Sequence, residues 1–423
     1  MENNNWLKYF LITYCFTNAT IAVADTNDFT ESTEHYSNFN DAIKGGKPYL
    51  AFRLRHENSH QENLKTAKAT TLRSKVGYIS GIYSNTNLNL EAINVANFFG
   101  QHYNPNVTEI NRPEYAVIND PKGTGITKFN LNFAGLETTQ IILGRQYISL
   151  DNQRFVGTID YRQFPQTFDA ISINNNWFDN LNIFYAFVIQ VNNNKSNSRT
   201  TDGRNKLKTH LFNLAWDGFD YGKLSGYAYF NKDKTIKSNS HLILGVRAAS
   251  AENVVETYGI SYALEFAQQQ AKSGNPNHYT AYYTHGEIGK PIDPIEAKLG
   301  FERFTDKSNS AVKSFITPLG STRNFDGLSE AISSNTTNGR GLQDLYLKIC
   351  GKISDFSLTF TYHHFRFDAG SRKKLGNEFD ITASMALNED VALSATYAKF
   401  NPSGNSSIAN TRKIWVQLDT KFM

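Results

Sequence analysis

Two short stretches near the start of the chain space their cations for use on one surface. Arg53 and Arg55 alternate with Phe52 and Leu54, while Arg73 and Lys75 stand opposite Leu72, Val76 and Tyr78. In an extended chain alternate side chains share a face, so each stretch presents a positive face and an apolar one. Set side by side, the four cations form a ladder that attracts anions and lowers the barrier to carboxylates. Arg247 and Lys298 have the same setting further along. Glu91, Glu265, Glu296 and Asp380 also occupy polar faces, so the field is mixed rather than uniformly positive.

A second concentration of polar chemistry lies at 144–170. It holds Gly144-Arg145-Gln146, Leu150-Asp151-Asn152-Gln153-Arg154-Phe155-Val156-Gly157, Tyr161-Arg162-Gln163 and Gln166-Thr167-Phe168-Asp169-Ala170. This density of Arg, Gln, Asp and aromatics is unlike a floppy surface loop of Ser and Asn. Arg145, Asp151, Arg154, Arg162 and Asp169 could fix such a segment through Arg–carboxylate and amide hydrogen bonds, or could meet a passing solute. The two roles are compatible.

Bond-breaking chemistry leaves no comparable signature. The chain has no G-x-S-x-G elbow, H-E-x-x-H, phosphate-binding loop or dinucleotide fingerprint. Neighbouring His363 and His364 point to opposite faces of a strand and cannot chelate one ion together. No enzyme, metal or organic cofactor is expected. Of the two cysteines, Cys15 falls in the leader described below and Cys350 reads as a small strand residue, leaving the exported chain one thiol. A formal charge of +4 without a dense basic stripe argues against nucleic acid.

The elements that must position these residues are strands. Hydrophobic residues are 40 % of the 423 and aromatics 13 %. That is lean for a soluble core and suits a barrel in which only the lipid-facing side is apolar. Lys8, the mainly apolar run 9–23 and Ala22-Val23-Ala24 form an export leader, with cleavage after Ala24. No later apolar run is long enough for a spanning helix.

Period-two alternation then recurs from residue 48 to the end. Tyr258, Ile260, Tyr262, Leu264 and Phe266 fall opposite Gly259, Ser261, Ala263 and Glu265, and Ile295, Ala297, Leu299 and Phe301 fall opposite Glu296, Lys298, Gly300 and Glu302. Eighteen such segments can be placed, from 48–57 and 68–80 through 254–268 and 293–304 to 411–423. Links alternate in length. Short turns such as Ala134–Glu137, Asp217–Asp220, Gly289–Ile292 and Asn388-Glu389 interleave with long ones at 58–67, 99–124, 148–165, 193–206 and 305–341. Short turns on one side and long loops on the other mark an outer-membrane barrel. The expectation is an all-β, transmembrane, antiparallel up-and-down barrel of about 18 strands, roughly 35 Å across. It assigns 1–24 to a signal peptide, 25–46 to a periplasmic segment with a short helix at 39–44, and 47–423 to the barrel, with 148–165 folded inward. Phe422 supplies the terminal aromatic that barrel assembly machinery reads during insertion.

Asn38–Tyr49 with Phe52-Arg53-Leu54-Arg55 resembles the opening of alginate-export-type outer-membrane porins. Asp151–Gly157, Arg162-Gln163, Gln166–Asp169 and Gly341–Tyr346 are similar to later blocks of that family. The resemblance implies a monomeric 18-stranded barrel, narrowed by loops and lined by basic residues, that passes an anionic polysaccharide outward. The sequence therefore points to an outer-membrane channel for small anionic or sugar-like solutes, with outer-membrane lipid and a small or polymeric anionic solute as partners. The alternative is an adhesin or receptor barrel using the long loops 99–124 and 305–341.

Overall fold

A computed structural model of the chain describes residues 34–422, apart from 201, 273, 306–313, 323–324, 333–339, 371–373, 405 and 407. The expected leader lies outside the described residues, as does the stretch 25–33.

The strands are β1 (Lys47–Gln61), β2 (Ala67–Ile79), β3 (Thr86–His102), β4 (Gly123–Leu136), β5 (Thr139–Gln146), β6 (Thr167–Phe178), β7 (Leu181–Asn192), β8 (Arg204–Phe219) and β9 (Gly222–Asn231). They continue as β10 (His241–Ala249), β11 (Ser261–Ala271), β12 (Thr280–Ile292), β13 (Ile295–Phe304), β14 (Leu342–Ile353), β15 (Phe356–Arg366), β16 (Lys374–Asn388), β17 (Val391–Pro402) and β18 (Thr411–Phe422). Each pairs antiparallel with the next, and β1 closes on β18 from Leu50 opposite Phe422 to Gln61 opposite Thr411. Closure leaves no edge strand with unpaired backbone groups, which a lipid environment demands. Every expected strand is present, and the tight turns gather on the rim where β1 begins and β18 ends.

Alternation decides which residues face the lumen. On β1 Arg53, Arg55, Glu57 and Ser59 are buried while Leu50 and Leu54 are exposed; on β11 Glu265 is buried while Leu264 and Phe266 are exposed. Leu131, Leu143, Val246, Ile288, Leu299, Ile381 and Val416 repeat this outward exposure around the barrel. A continuous apolar belt of this size would promote aggregation in water, and it fits the hydrocarbon layer of a bilayer. Inside, an apolar cluster built on Phe155, Val156, Phe168, Tyr227, Tyr283, Phe304, Phe315 and Leu319 packs against the wall from the lumen side.

Several boundaries shift from the sequence reading, and two of the shifts have a clear physical cause. Residues 254–260 do not extend the eleventh strand: Glu252–Tyr258 form α2, preceded in the chain by α1 (Phe39–Lys44). Val254 and Val255 are buried, and Gly259 ends the helix at φ 65°, its N–H bonded to the Val255 carbonyl. Such a left-handed C-cap suits glycine. Tyr258 and Ile260 thus only mimic a continued alternation. The turn placed at 289–292 instead sits at Asp293-Pro294, because Lys290, Pro291 and Ile292 pair with Ala297, Glu296 and Ile295. α1 is capped by Asn38, whose side chain accepts from the Asp41 N–H, and lies against 80–82 through the Gly81 N–H to Ala42 carbonyl bond. Cys350 is a buried strand residue on β14.

Candidate functional site

The lumen is crossed by loop 147–166, between β5 and β6. At one end of its span Asn213 of β8 donates to Asp151 (2.7 Å), and Asn152 donates to Glu265 of β11 (3.2 Å). Mid-loop, Arg154 is 2.7 Å from both Glu302 of β13 and Asp326 of the 305–341 loop. Phe155 beside it packs on Tyr227, Tyr283 and Phe315 with ring centroids 5.6, 5.1 and 5.5 Å away. Val156 forms a parallel bridge with Leu319, which joins the two loops in one layer.

The far end of the loop docks on the basic wall. β1 and β2 are neighbours, with Arg53 directly opposite Arg73. Arg53 donates to the Asp160 carbonyl (2.6 Å), Arg55 to the Tyr161 carbonyl (2.5 Å), and Arg73 to the Asp160 carboxylate (2.9 Å). Two like charges facing each other across a ladder repel. Asp160, between them, and Asp419, 2.7 Å from Arg53, relieve that repulsion. Lys75 faces Glu91 at 3.5 Å, and Glu91 also accepts from Tyr49, Thr127 and Tyr147.

Arg162 is the hub. It lies 2.9 Å from Glu57, 3.3 Å from Asp120 and 2.5 Å from Glu330, and Lys413 of β18 meets Glu330 at 2.6 Å. Burial alone would make Arg162 easier to deprotonate, but Glu330, Glu57 and Asp120 outweigh it, and the guanidinium is held firmly charged. Burial likewise pushes the Glu330 carboxyl up, and Arg162 and Lys413 overcome that to hold it well below the usual carboxylate range. Gln163 closes the arrangement, with its N–H on Asp120 (2.8 Å) and its amide on the Thr71 hydroxyl (2.7 Å).

The remaining candidate residues fall in two places. Arg247 and Lys298 face the lumen on the opposite wall, where Glu265 (3.0 Å) and Glu287 and Glu296 (3.5 and 3.6 Å) match them. Arg145 and Asp169 are elsewhere. They pair at 2.6 Å, partly exposed, on the outward faces of β5 and β6 beside Leu143, Ile171 and Ile189. The parity explains this: Gln146 and Ser172 take the inward positions and bond each other at 2.6 Å. Arg145 and Asp169 therefore do not line the lumen, a correction to their sequence assignment. His363 faces inward to Asp344 (2.7 Å), and His364 lies across the strand on Asn377.

Sequence reasoning missed the acids that answer the cations: Asp120, Asp160, Glu302, Asp326 and Glu330. Four of these sit in loops tens to hundreds of residues from their partners, and no spacing rule reveals those partners. Asp160, two residues before Arg162, is the one a closer look at the loop could have found.

A family model described as alginate export matches residues 120–286, a span that contains the whole lumen-crossing loop. No curated protein matches the chain. Among solved structures it is similar to OccAB2 of Acinetobacter baumannii, at 12 % identity and a TM-score of 0.65 over 90 % of this chain and 99 % of that one. OccK3 (OpdO) of Pseudomonas aeruginosa gives 10 % identity and 0.63 over 90 % and 97 %, and OccD3 (OpdP) of the same organism 13 % and 0.63 over 91 % and 93 %. At such identities the likeness is one of fold: a closed 18-stranded antiparallel barrel matching outer-membrane porin structures.

Proposed function

We propose that this protein is an outer-membrane channel, not an enzyme, for small anionic solutes of the sugar-acid or carboxylate kind. The observation that carries the reading is the wall of Arg53, Arg55, Arg73 and Lys75, facing the lumen with a loop carboxylate seated on it. The cations are compensated, so the wall does not trap an anion irreversibly. Asp160, with 18 % of its side chain accessible, is the least buried acid among these pairs and the one a solute carboxylate can exchange with. Conduction needs binding that is favourable enough to enter and weak enough to leave, and exchange against a resident carboxylate satisfies both. The alginate-export match supports an acidic sugar as the solute class. The same reading places the tight-turn rim, both barrel ends and α1 in the periplasm, with an export leader removed after Ala24.

Single-channel recording of the full-length protein in planar bilayers under a salt gradient tests this. The expected result is stable openings with a reversal potential on the anion side, shifted toward cations by R53Q/R55Q/R73Q. Folded protein that stays electrically silent, or a triple variant with unchanged selectivity, refutes it.

A further inference from the structure

On the outward face of the long-loop rim, cations are set directly opposite cations. The Leu207–Asp233 bridge places Lys206 opposite Lys234 and Lys208 opposite Lys232, and all four are exposed. The pattern recurs round the barrel, with Arg366 opposite Lys374 and Lys399 opposite Arg412. Like charges facing across a ladder destabilise it, and among the described residues none of the eight has an acid partner. Their side chains lie on the outward face; the buried acid between Lys232 and Lys234, Asp233, is on the inward face and accepts from the Asn205 amide and the Thr235 and Ile236 N–H groups.

The turns of the opposite rim carry acids, with Lys223, Lys290 and Lys352 in the adjoining strand ends. The two-residue turns at the opposite rim are Glu137-Thr138, Asp179-Asn180, Asp220-Tyr221, Asp293-Pro294, Ser354-Asp355 and Glu389-Asp390, each with an acid and none with a cation. The basic pairs also sit at a defined depth. Outward from Lys208 the strand runs His210, Phe212, Leu214 and Trp216, and beyond Arg412 come Ile414 and Val416, so the cations stand just above the apolar belt. From Lys208 to Phe212 is about 13 Å along the strand, or about 10 Å along the membrane normal at the usual tilt, which sets the lysines at or beyond the headgroup layer when Phe212 is in the acyl region. Long lysine and arginine stems reach to that level readily.

We propose that this girdle is a docking surface for the phosphate groups of anionic lipid in the outer leaflet. The inference rests on the outer-membrane reading above, which fixes which rim faces outward. A lipid phosphate between two facing lysines replaces their repulsion with two charge-assisted hydrogen bonds, and neighbouring pairs could bridge several headgroups into a collar around the barrel.

The test titrates full-length refolded barrel in detergent with lipopolysaccharide, with the same glycolipid after enzymatic dephosphorylation, and with inorganic phosphate. Expected are binding that weakens with salt, dephosphorylated lipid bound at least about tenfold more weakly, and a similar loss in K206Q/K208Q/K232Q/K234Q and in R366Q/K374Q/K399Q/R412Q. Heat-modifiable gel migration verifies folding, and the lipid comparison on the unaltered protein needs no variant. Channel conductance should be unchanged in both variants, which separates this proposal from the channel reading. Equal binding of the dephosphorylated lipid, wild-type affinity in both variants, or displacement of the lipid by millimolar inorganic phosphate overturns it.

Discussion

Replacing Arg162 with glutamine tests whether the lumen layer is held by ion pairs. In the native protein this one guanidinium touches Glu57, Asp120 and Glu330, with its own side chain 3 % accessible and the first two acids at 1 %. After substitution Glu330 keeps Lys413 at 2.6 Å, but Glu57 is left with Arg55 and Lys413, each at 3.8 Å, and Asp120 with Arg55 at 3.5 Å. Breaking a buried pair by removing one partner costs up to about 3–5 kcal/mol, and here it leaves Glu57 and Asp120 only those longer ion-pair contacts. The barrel hydrogen bonds do not depend on Arg162, so the loss falls on docking of loop 147–166. Its opening equilibrium should rise by up to roughly a hundredfold to a few thousandfold. Amide hydrogen exchange reads this directly at Gly157, Gln163 and Gln166, whose N–H groups bond to Leu319, Asp120 and Thr158. Strand amides on β13 and β14 serve as the control. A second consequence is electrical, with noisier and larger openings as the loop leaves the lumen. Exchange at those three amides within about threefold of wild type would refute the reasoning.

Four further outcomes follow from the same contacts. R145Q/D169N should leave the reversal potential unchanged, since the pair faces outward, and a selectivity shift would place it in the conduction path after all. D160N should strengthen block of the current by a small carboxylate by roughly five- to tenfold, as Arg73 loses its resident acid; weaker block would count against exchange at that position. Phe155→Ala removes a ring packed on three others and should destabilise loop docking by about 3–5 kcal/mol, seen as faster exchange at Gly157 without loss of the barrel's heat-modifiable migration. Glu330 sets a pH window. Its carboxyl lies below its ordinary 4.5 when folded, so its contribution is fully present above that value and is lost as pH falls through the depressed folded value. Loop protection, corrected for the intrinsic exchange rate, should therefore fall in acid below about pH 4.5, and E330Q should abolish that acid-dependent part.

Much of the architecture was readable in the chain because a barrel wall is a local pattern. Alternation with period two, repeated between turn residues, fixes strand number, strand faces and the sorting of links, since each strand meets lipid on one side and lumen on the other. That logic placed Arg53, Arg55, Arg73, Lys75, Arg247 and Lys298 on the inward face, where they are found. It failed where a short helix ended in phase with the next strand, at Tyr258 and Ile260. It also failed at Arg145 and Asp169, where membership of a polar block was read in place of parity.

Tertiary structure alone decided what the cations meet. Arg154 joins Glu302 and Asp326, 148 and 172 residues away, and Arg162 joins Glu57, Asp120 and Glu330 at separations of 105, 42 and 168. Strand pairing is set by neighbours and turns, so the sequence carries it openly. The partners of a loop folded into a closed cylinder are set by which walls curvature brings within reach, and curvature belongs to the whole barrel rather than to any segment of it. The chain by itself thus determined a charged, water-facing cylinder, and the closed fold determined that its positive wall is met by the protein's own carboxylates.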